Sequence, residues 1–143
     1  GAMTDAIARL PQKPPAVYLD EILELDPGRA ALAATTFPAG HRVFEGHLPG
    51  DPIVPGVILI EALAQLAGVV LVPAEGHGAV RGVLGEVARM RFRRLIRPGE
   101  RITLRATLER RFGTVARFEV AATVGAEVAA EGAITVSSAE LGG

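Results

Sequence analysis

An α+β fold, one apolar helix with an antiparallel sheet wrapped about it, follows from three features of the 143-residue sequence. Residues 57–72 are apolar on every face and carry only Glu61 and Gln65 as polar side chains, which predicts a helix buried all round. Further on, Ile102, Leu104, Ala106 and Leu108 alternate with Arg101, Thr103, Arg105, Thr107 and Glu109, the period of a half-buried strand. The alternation returns in Phe118, Val120, Ala122 and Val124, and again in Val128, Ala130, Ile134 and Val136. Turn residues at Phe112-Gly113 and Gly125-Ala126 separate these runs, so the C-terminal half reads as an antiparallel meander. A single helix with several strands has one economical solution, a sheet that curls round the helix.

The remaining elements follow in chain order. Gly1-Ala2-Met3 reads as a protease-cleavage scar, which leaves residues 4–143 as one domain, the usual size for a chain of this length. Thr4-Asp5 can cap a short helix over residues 6–10, which Pro11, Pro14 and Pro15 then stop. Residues 16–25 and 29–36 are apolar-rich and flank the turn Asp26-Pro27-Gly28, as expected of a strand pair. From residue 41 to residue 56 the chain reads as loop, with Pro49, Pro52 and Pro55 and three glycines denying regular structure.

Composition removes whole chemistries. The absence of Cys excludes disulfides, thiolate zinc sites, iron–sulfur clusters and cysteine nucleophiles. The only serines, Ser137 and Ser138, lie in no nucleophile elbow, and there is no phosphate-cradling glycine motif. The three histidines have no ligand spacing relative to one another or to clustered carboxylates, so no metal site is expected. The apolar run at 57–72 is shorter than the ~18–20 residues that span a bilayer, and with no signal peptide in view a soluble, cytoplasmic protein is expected. A net charge of −1 and 4% aromatic residues argue against nucleic acid as a partner.

Acid–base chemistry stays open, and the helix is where it gathers. Glu61 and Gln65 are four residues apart, so they share a helix face one turn from each other and can hydrogen-bond. An ionised carboxylate buried without a partner costs several kcal/mol, so such a group becomes protonated, finds a partner, reaches water past the helix end, or is kept for a function. Raised in pKa, Glu61 would be a neutral proton donor at pH 7, as a general acid must be. Pro55 pre-sets the first helical turn, and Gly56 lets a ligand approach the N–H groups at the positive end of the helix dipole. These two residues fit an oxyanion site, and equally a plain helix start. Of the histidines, His47 lies in the proline-restricted loop before the helix and is the candidate base. His41 is further away, and His77 sits between Gly76 and Gly78 in what reads as a loop tip.

Gly46-His47-Leu48-Pro49-Gly50-Asp51-Pro52-Ile53-Val54-Pro55-Gly56-Val57, followed by Glu61-Ala62-Leu63-Ala64-Gln65, resembles the signature of FabZ-type 3-hydroxyacyl-acyl-carrier-protein dehydratases. The fourteen-residue step from His47 to Glu61 matches, and the similarity extends from about residue 10 to residue 136. The resemblance implies a hot-dog fold, a long central helix wrapped by a curved antiparallel sheet, assembled as a homodimer, or a higher oligomer of dimers, whose two sheets join. It implies that His47 of one subunit works with Glu61 of the other: His47 takes the α-proton of a 3-hydroxyacyl thioester, and Glu61 protonates the departing β-hydroxyl. It further implies that Gly56 N–H polarises the thioester carbonyl, that Val57 lines the substrate site beside it, and that Gln65 orients Glu61. Such a dehydratase needs no metal or organic cofactor, and its product would be the trans-2-enoyl thioester, in fatty-acid or polyketide/polyene biosynthesis. Departures from the common pattern are Gln12-Lys13, Leu48, Leu95, and a stretch at 85–92 that is one residue longer.

The competing functions are an acyl-thioester hydrolase, with Glu61 activating water, and a non-catalytic acyl-binding partner subunit. Retention of both His47 and Glu61 argues against the second. Charge is unevenly spread: residues 81–111 hold ten arginines and three glutamates, while the segments on either side are net acidic. Arg89, Arg91, Arg93, Arg94 and Arg97 are therefore candidate docking residues for an acidic acyl carrier protein, the alternative being a solvated strand face.

Overall fold

The computed structural model describes residues 17–45, 50–71 and 80–140, with the side chains of 80–85 and 138–140 outside that description. Six strands and one long helix follow in the order β1 (Glu21–Asp26), β2 (Ala30–Thr36), α1 (Gly56–Leu71), β3 (Val80–Phe92), β4 (Arg101–Phe112), β5 (Val115–Val124) and β6 (Glu127–Glu140). They form one antiparallel sheet in the spatial order β1-β2-β4-β5-β6-β3, and α1 packs against β2, β3, β4, β5 and β6. This is the hot-dog arrangement expected from the sequence. The 4–10 helix, Val72 and the 77 loop tip lie outside the described residues.

Burial explains why the helix sits where it does. Leu63, Leu66, Val69 and Val70 are fully enclosed, and they meet Ile102, Leu104, Phe118, Ile134 and Val136, the inward positions of β4, β5 and β6. Small side chains on the sheet, among them Ala33, Ala106, Ala122 and Ala130, let the helix approach closely. Burying each Leu or Val contributes roughly 1.5–3 kcal/mol, so this seam is the main apolar contribution to the fold. The helix is not buried all round, however. Every residue from Ala62 to Leu71 is buried, but Val57 is 73% exposed and Ile58, Ile60 and Glu61 are half-buried, so its first turns open outward.

Helix ends need partners for their backbone groups. At the C-terminal end the turn between β1 and β2 supplies one: Gly28 N–H donates to Val70 C=O at 2.8 Å. At the N-terminal end Pro55 C=O accepts from Ile58 N–H and Leu59 N–H, at 3.0 and 3.2 Å. The N–H groups of Gly56 and Val57 therefore have no acceptor within the helix.

Several boundaries moved. Part of the 41–56 loop is a short 3₁₀ turn at Arg42–Phe44, capped by His41, whose Nδ1 accepts from Val43 N–H at 3.0 Å. The strand expected from residue 16 begins at Glu21. Before it, Tyr18 N–H turns to the helix rather than to β2, and Asp20 caps β2 by accepting from Thr36 N–H at 2.8 Å. The thirteen-residue strand β3 has no counterpart in the sequence reading. Two register shifts, at Leu84/Glu86 and Ala88/Arg91, break its period-two pattern. The second lies in the stretch that reads as one residue too long: Arg89 and Met90 together face Gly132 on β6. Arg89 takes the left-handed conformation there, with φ 52°, and a Cβ on Gly132 would stand 2.7 Å from Met90 Cα. The bulge thus requires glycine opposite it.

Candidate active site

Glu61 and Gln65 lie on the face of α1 turned toward the lead-in to β1. Gln65 is only 3% exposed, and its Oε1 accepts from Tyr18 N–H at 2.8 Å. Its amide also hydrogen-bonds the Glu61 carboxyl. Burial pushes the Glu61 carboxyl above the usual carboxylate range, and the Gln65 hydrogen bond partly offsets this. Among the described residues no guanidinium neutralises it, although the chain is rich in arginine. A carboxyl with raised affinity for its proton, at the open end of a buried helix, is a general-acid candidate.

Gly56 stands one turn before Glu61, at the helix start. A Cβ there would come within 3.0 Å of Phe92 Cζ, so the edge of the Phe92 ring lies against the Gly56 backbone. Phe92 is 53% exposed, and Val57 and Leu95 are exposed near the same end. The approach to the Gly56 and Val57 N–H groups is therefore apolar, walled by β3 and the segment after it. Asp51 pairs with Arg97, and Val54 N–H donates to Ile96 C=O at 2.7 Å, so the residues entering the helix are tied to the β3–β4 connection. His47, the candidate base, lies outside the described residues. His41 is occupied structurally by its cap and by an edge-on ring contact with Phe37 at 5.2 Å. Among the described residues no cluster of His, Asp and Glu gathers to hold a metal.

The arginines sort into two groups. Arg94 grips Glu100 through two nitrogens, at 3.0 and 2.5 Å, and also faces Glu127; Arg93 pairs with Glu131 at 3.0 Å, and Arg97 with Asp51. Arg89 and Arg91 have no ion pair among the described residues. With Arg105 they line a groove of about 480 Å³ on the sheet face away from α1, floored by Ala121, Gly132 and Ala133. Sequence reasoning found the basic segment but not this division, because pairing depends on cross-strand register. It also missed Tyr18 and Phe92: one acts through its main chain, the other through a strand the bulges concealed.

A long helix wrapped by an antiparallel sheet is a hot-dog fold, and near its N-terminal end Glu61 carries a carboxyl that burial pushes above the usual range. Residues 24–133 match the family model described as ApeI-like, ApeI dehydratase. Two curated relatives are named 3-hydroxyacyl-[acyl-carrier-protein] dehydratase FabZ. The one from Acetivibrio thermocellus is 40% identical over 87% of this chain and 86% of its own, and the one from Ruminiclostridium cellulolyticum 37% identical over 87% and 88%. The solved Dehydratase Heterocomplex ApeI:P from Xenorhabdus doucetiae superposes with a TM-score of 0.76 at 19% identity, over 97% of this chain and 92% of that one. The chain belongs to the FabZ-type dehydratase family.

Proposed function

We propose that the protein removes water from a 3-hydroxyacyl group carried as a thioester on acyl carrier protein, giving the trans-2-enoyl thioester in fatty-acid biosynthesis. The observation that carries this reading is Glu61: a half-buried carboxyl whose pKa burial raises, held by Gln65, one turn from the open N–H groups of Gly56 and Val57. His47 takes the α-proton. Charge that develops on the thioester oxygen is stabilised by Gly56 N–H at the positive end of α1, beside Val57. Glu61 gives its proton to the leaving hydroxyl, which departs as water, and afterwards holds the negative charge. The apolar wall of Phe92 and Leu95 excludes solvent from the enolate-like state.

The active unit is a dimer. β3 is an edge strand, and Val87 and Phe92 on it, with Leu95 and Val57 nearby, are exposed apolar residues along one margin. Pairing two such edges would cover them, and in the dimer His47 of one protomer works with Glu61 of its partner, as the family resemblance implies. The carrier meets the arginine-rich segment 89–97, where Arg89 and Arg91 keep unpaired charge for an acidic surface.

Incubation with 3-hydroxyacyl-carrier, read by intact mass, tests the chemistry. Loss of one water with the carrier still attached, dependent on His47 and Glu61, is expected; cleavage to free carrier thiol would replace the reading with thioester hydrolysis. Mixing His47→Ala with Glu61→Gln protein is expected to restore part of the activity through hybrid sites. No recovery despite proven subunit exchange would overturn the shared site.

A further inference from the structure

Amide side chains can present either end to a neighbour, and which end Gln65 presents to Glu61 decides what it can do to a general acid. A carbonyl oxygen facing a protonated carboxyl would accept its proton and hold it. An NH₂ group can only donate, which leaves the acid proton uncommitted. The structure fixes this choice without reference to Gln65 itself. Tyr18 N–H is a donor with no acceptor capacity, so the Gln65 atom 2.8 Å from it must be oxygen. The other end, the NH₂, is then the one that reaches Glu61 a turn earlier on α1.

We propose that the main-chain N–H of Tyr18 is a positioning group for catalysis: by turning the Gln65 oxygen toward itself it presents the NH₂ end, a donor, to Glu61, so that Glu61 keeps its acid proton for the leaving hydroxyl. This rests on the dehydration reading above. Three observations support it. Gln65 is 3% exposed, so water does not compete for its amide. Tyr18 is held from both sides, by its ring edge against Phe37 at 5.9 Å and by Asp20, whose N–H donates to Ala34 C=O at 3.1 Å and whose carboxylate accepts from Thr36 N–H. The contact spans 47 residues and departs from the β1–β2 ladder, which begins only at Glu21. The lead-in to the sheet gives up its own pairing to reach the helix.

The charge environment makes the effect readable. Among the described residues only burial and Gln65 act on Glu61, in opposite directions, and His47 is the other titratable group the proposed site brings in. Loss of the donor leaves burial unopposed, so the limb on which kcat falls as Glu61 deprotonates should move to higher pH.

The test compares Tyr18→Pro, which lacks the N–H, with Tyr18→Phe, which keeps both the N–H and the ring against Phe37. Tyr18→Pro is expected to lower kcat about ten-fold, the worth of one hydrogen bond to a charged group, with little change in KM, and to shift the alkaline limb upward. Tyr18→Phe should keep the wild-type pH profile, and adding Tyr18→Pro to Gln65→Met should cost nothing further. Equal pH profiles in Tyr18→Pro and wild type, or full additivity with Gln65→Met, would overturn the proposal. A second pair does not depend on Tyr18→Pro folding. Gln65→Glu supplies an oxygen that can capture the Glu61 proton, whereas Gln65→Met merely removes the donor, so Gln65→Glu should be the slower enzyme. The reverse order would overturn the proposal. Unimpaired dehydration by Glu61→Gln would instead remove the general-acid role of Glu61 on which it rests.

Discussion

Two carboxylates show how differently one chain treats the same group. Glu100, at the turn between β3 and β4, accepts two bonds from Arg94 and one from Arg97 N–H at 2.8 Å, and these hold its carboxyl below the usual range. Glu61, on α1, is pushed the other way by burial and meets an amide rather than a guanidinium. Arginine is abundant on β3 and β4, so the absence of a cation from the Glu61 environment among the described residues is a property of placement and not of composition. A carboxylate satisfied by arginine holds two segments together. One left with a weak donor stays able to exchange its proton, and the contrast separates what builds this fold from what works in it.

The largest expected effect tests that separation directly. Glu61→Gln should lower dehydration by on the order of 10²-fold or more, as loss of a general acid does, with the fold retained. Glu100→Gln should keep near-normal kcat and show its effect as a lowered Tm, since Gln can still accept from Arg94. Intact-mass turnover assays and thermal melts on both proteins decide the matter. A Glu100→Gln enzyme as inactive as Glu61→Gln would collapse the distinction.

How far the sequence disclosed this contrast depended on whether the signal was local. The meander was legible because β5 and β4 as far as Leu108 alternate between more and less buried positions, and because Ala130, Ile134 and Val136 keep the inward period of β6 even though Ala129 and Ala133 are buried beside them. Helix α1 was legible from its apolar run, and the Glu61–Gln65 pair from a four-residue spacing that any helix turns into a contact. β3 was not, because its two bulges shift the alternation and the arginines at 89 and 91 mask what remains of it. The partner that fixes the Gln65 amide was also hidden: it is a main-chain group 47 residues away, and no side-chain pattern marks it.

Two glycines carry the same comparison at a smaller scale. At Gly132 a Cβ would meet the Met90 Cα and the Arg89 carbonyl oxygen, at 2.7 and 2.8 Å, and both are backbone atoms of the bulge. Gly132→Ala must therefore shift a strand, at a cost of about 1–3 kcal/mol. At Gly56 the same Cβ would meet the Phe92 ring, which is half-exposed and can turn aside. Gly56→Ala should cost little stability and yet lower kcat, because the methyl occupies the approach to the helix N-terminus. Denaturant melts and turnover together check this, and a Gly56→Ala protein that is unstable but fully active would reverse the assignment.

The smallest effect concerns stability as pH changes. Burial raises the Glu61 carboxyl, so the folded protein binds that proton more tightly than the unfolded chain does. Ionising it therefore costs stability: the cost is fully present above the raised folded value and disappears as pH falls through it and below the unfolded value. Glu61→Gln cannot ionise and should be more stable than the wild type at neutral pH, with the gap closing toward acid. Glu100 runs the opposite way. Its carboxyl is lowered by Arg94 and Arg97, so its contribution is present above the unfolded value and lost as pH falls through the lowered one. The wild-type margin over Glu100→Gln should accordingly shrink toward acid while the Glu61→Gln margin over wild type also vanishes, so the three melting curves converge at low pH from opposite sides. Both gaps are modest, because solvent reaches and screens both the half-buried Glu61 carboxyl and the partly buried Arg94–Glu100 pair. Parallel curves for Glu61→Gln and wild type across the acid range would mean that Glu61 is not held above its ordinary value, and would take from it the property that suits it to give up a proton.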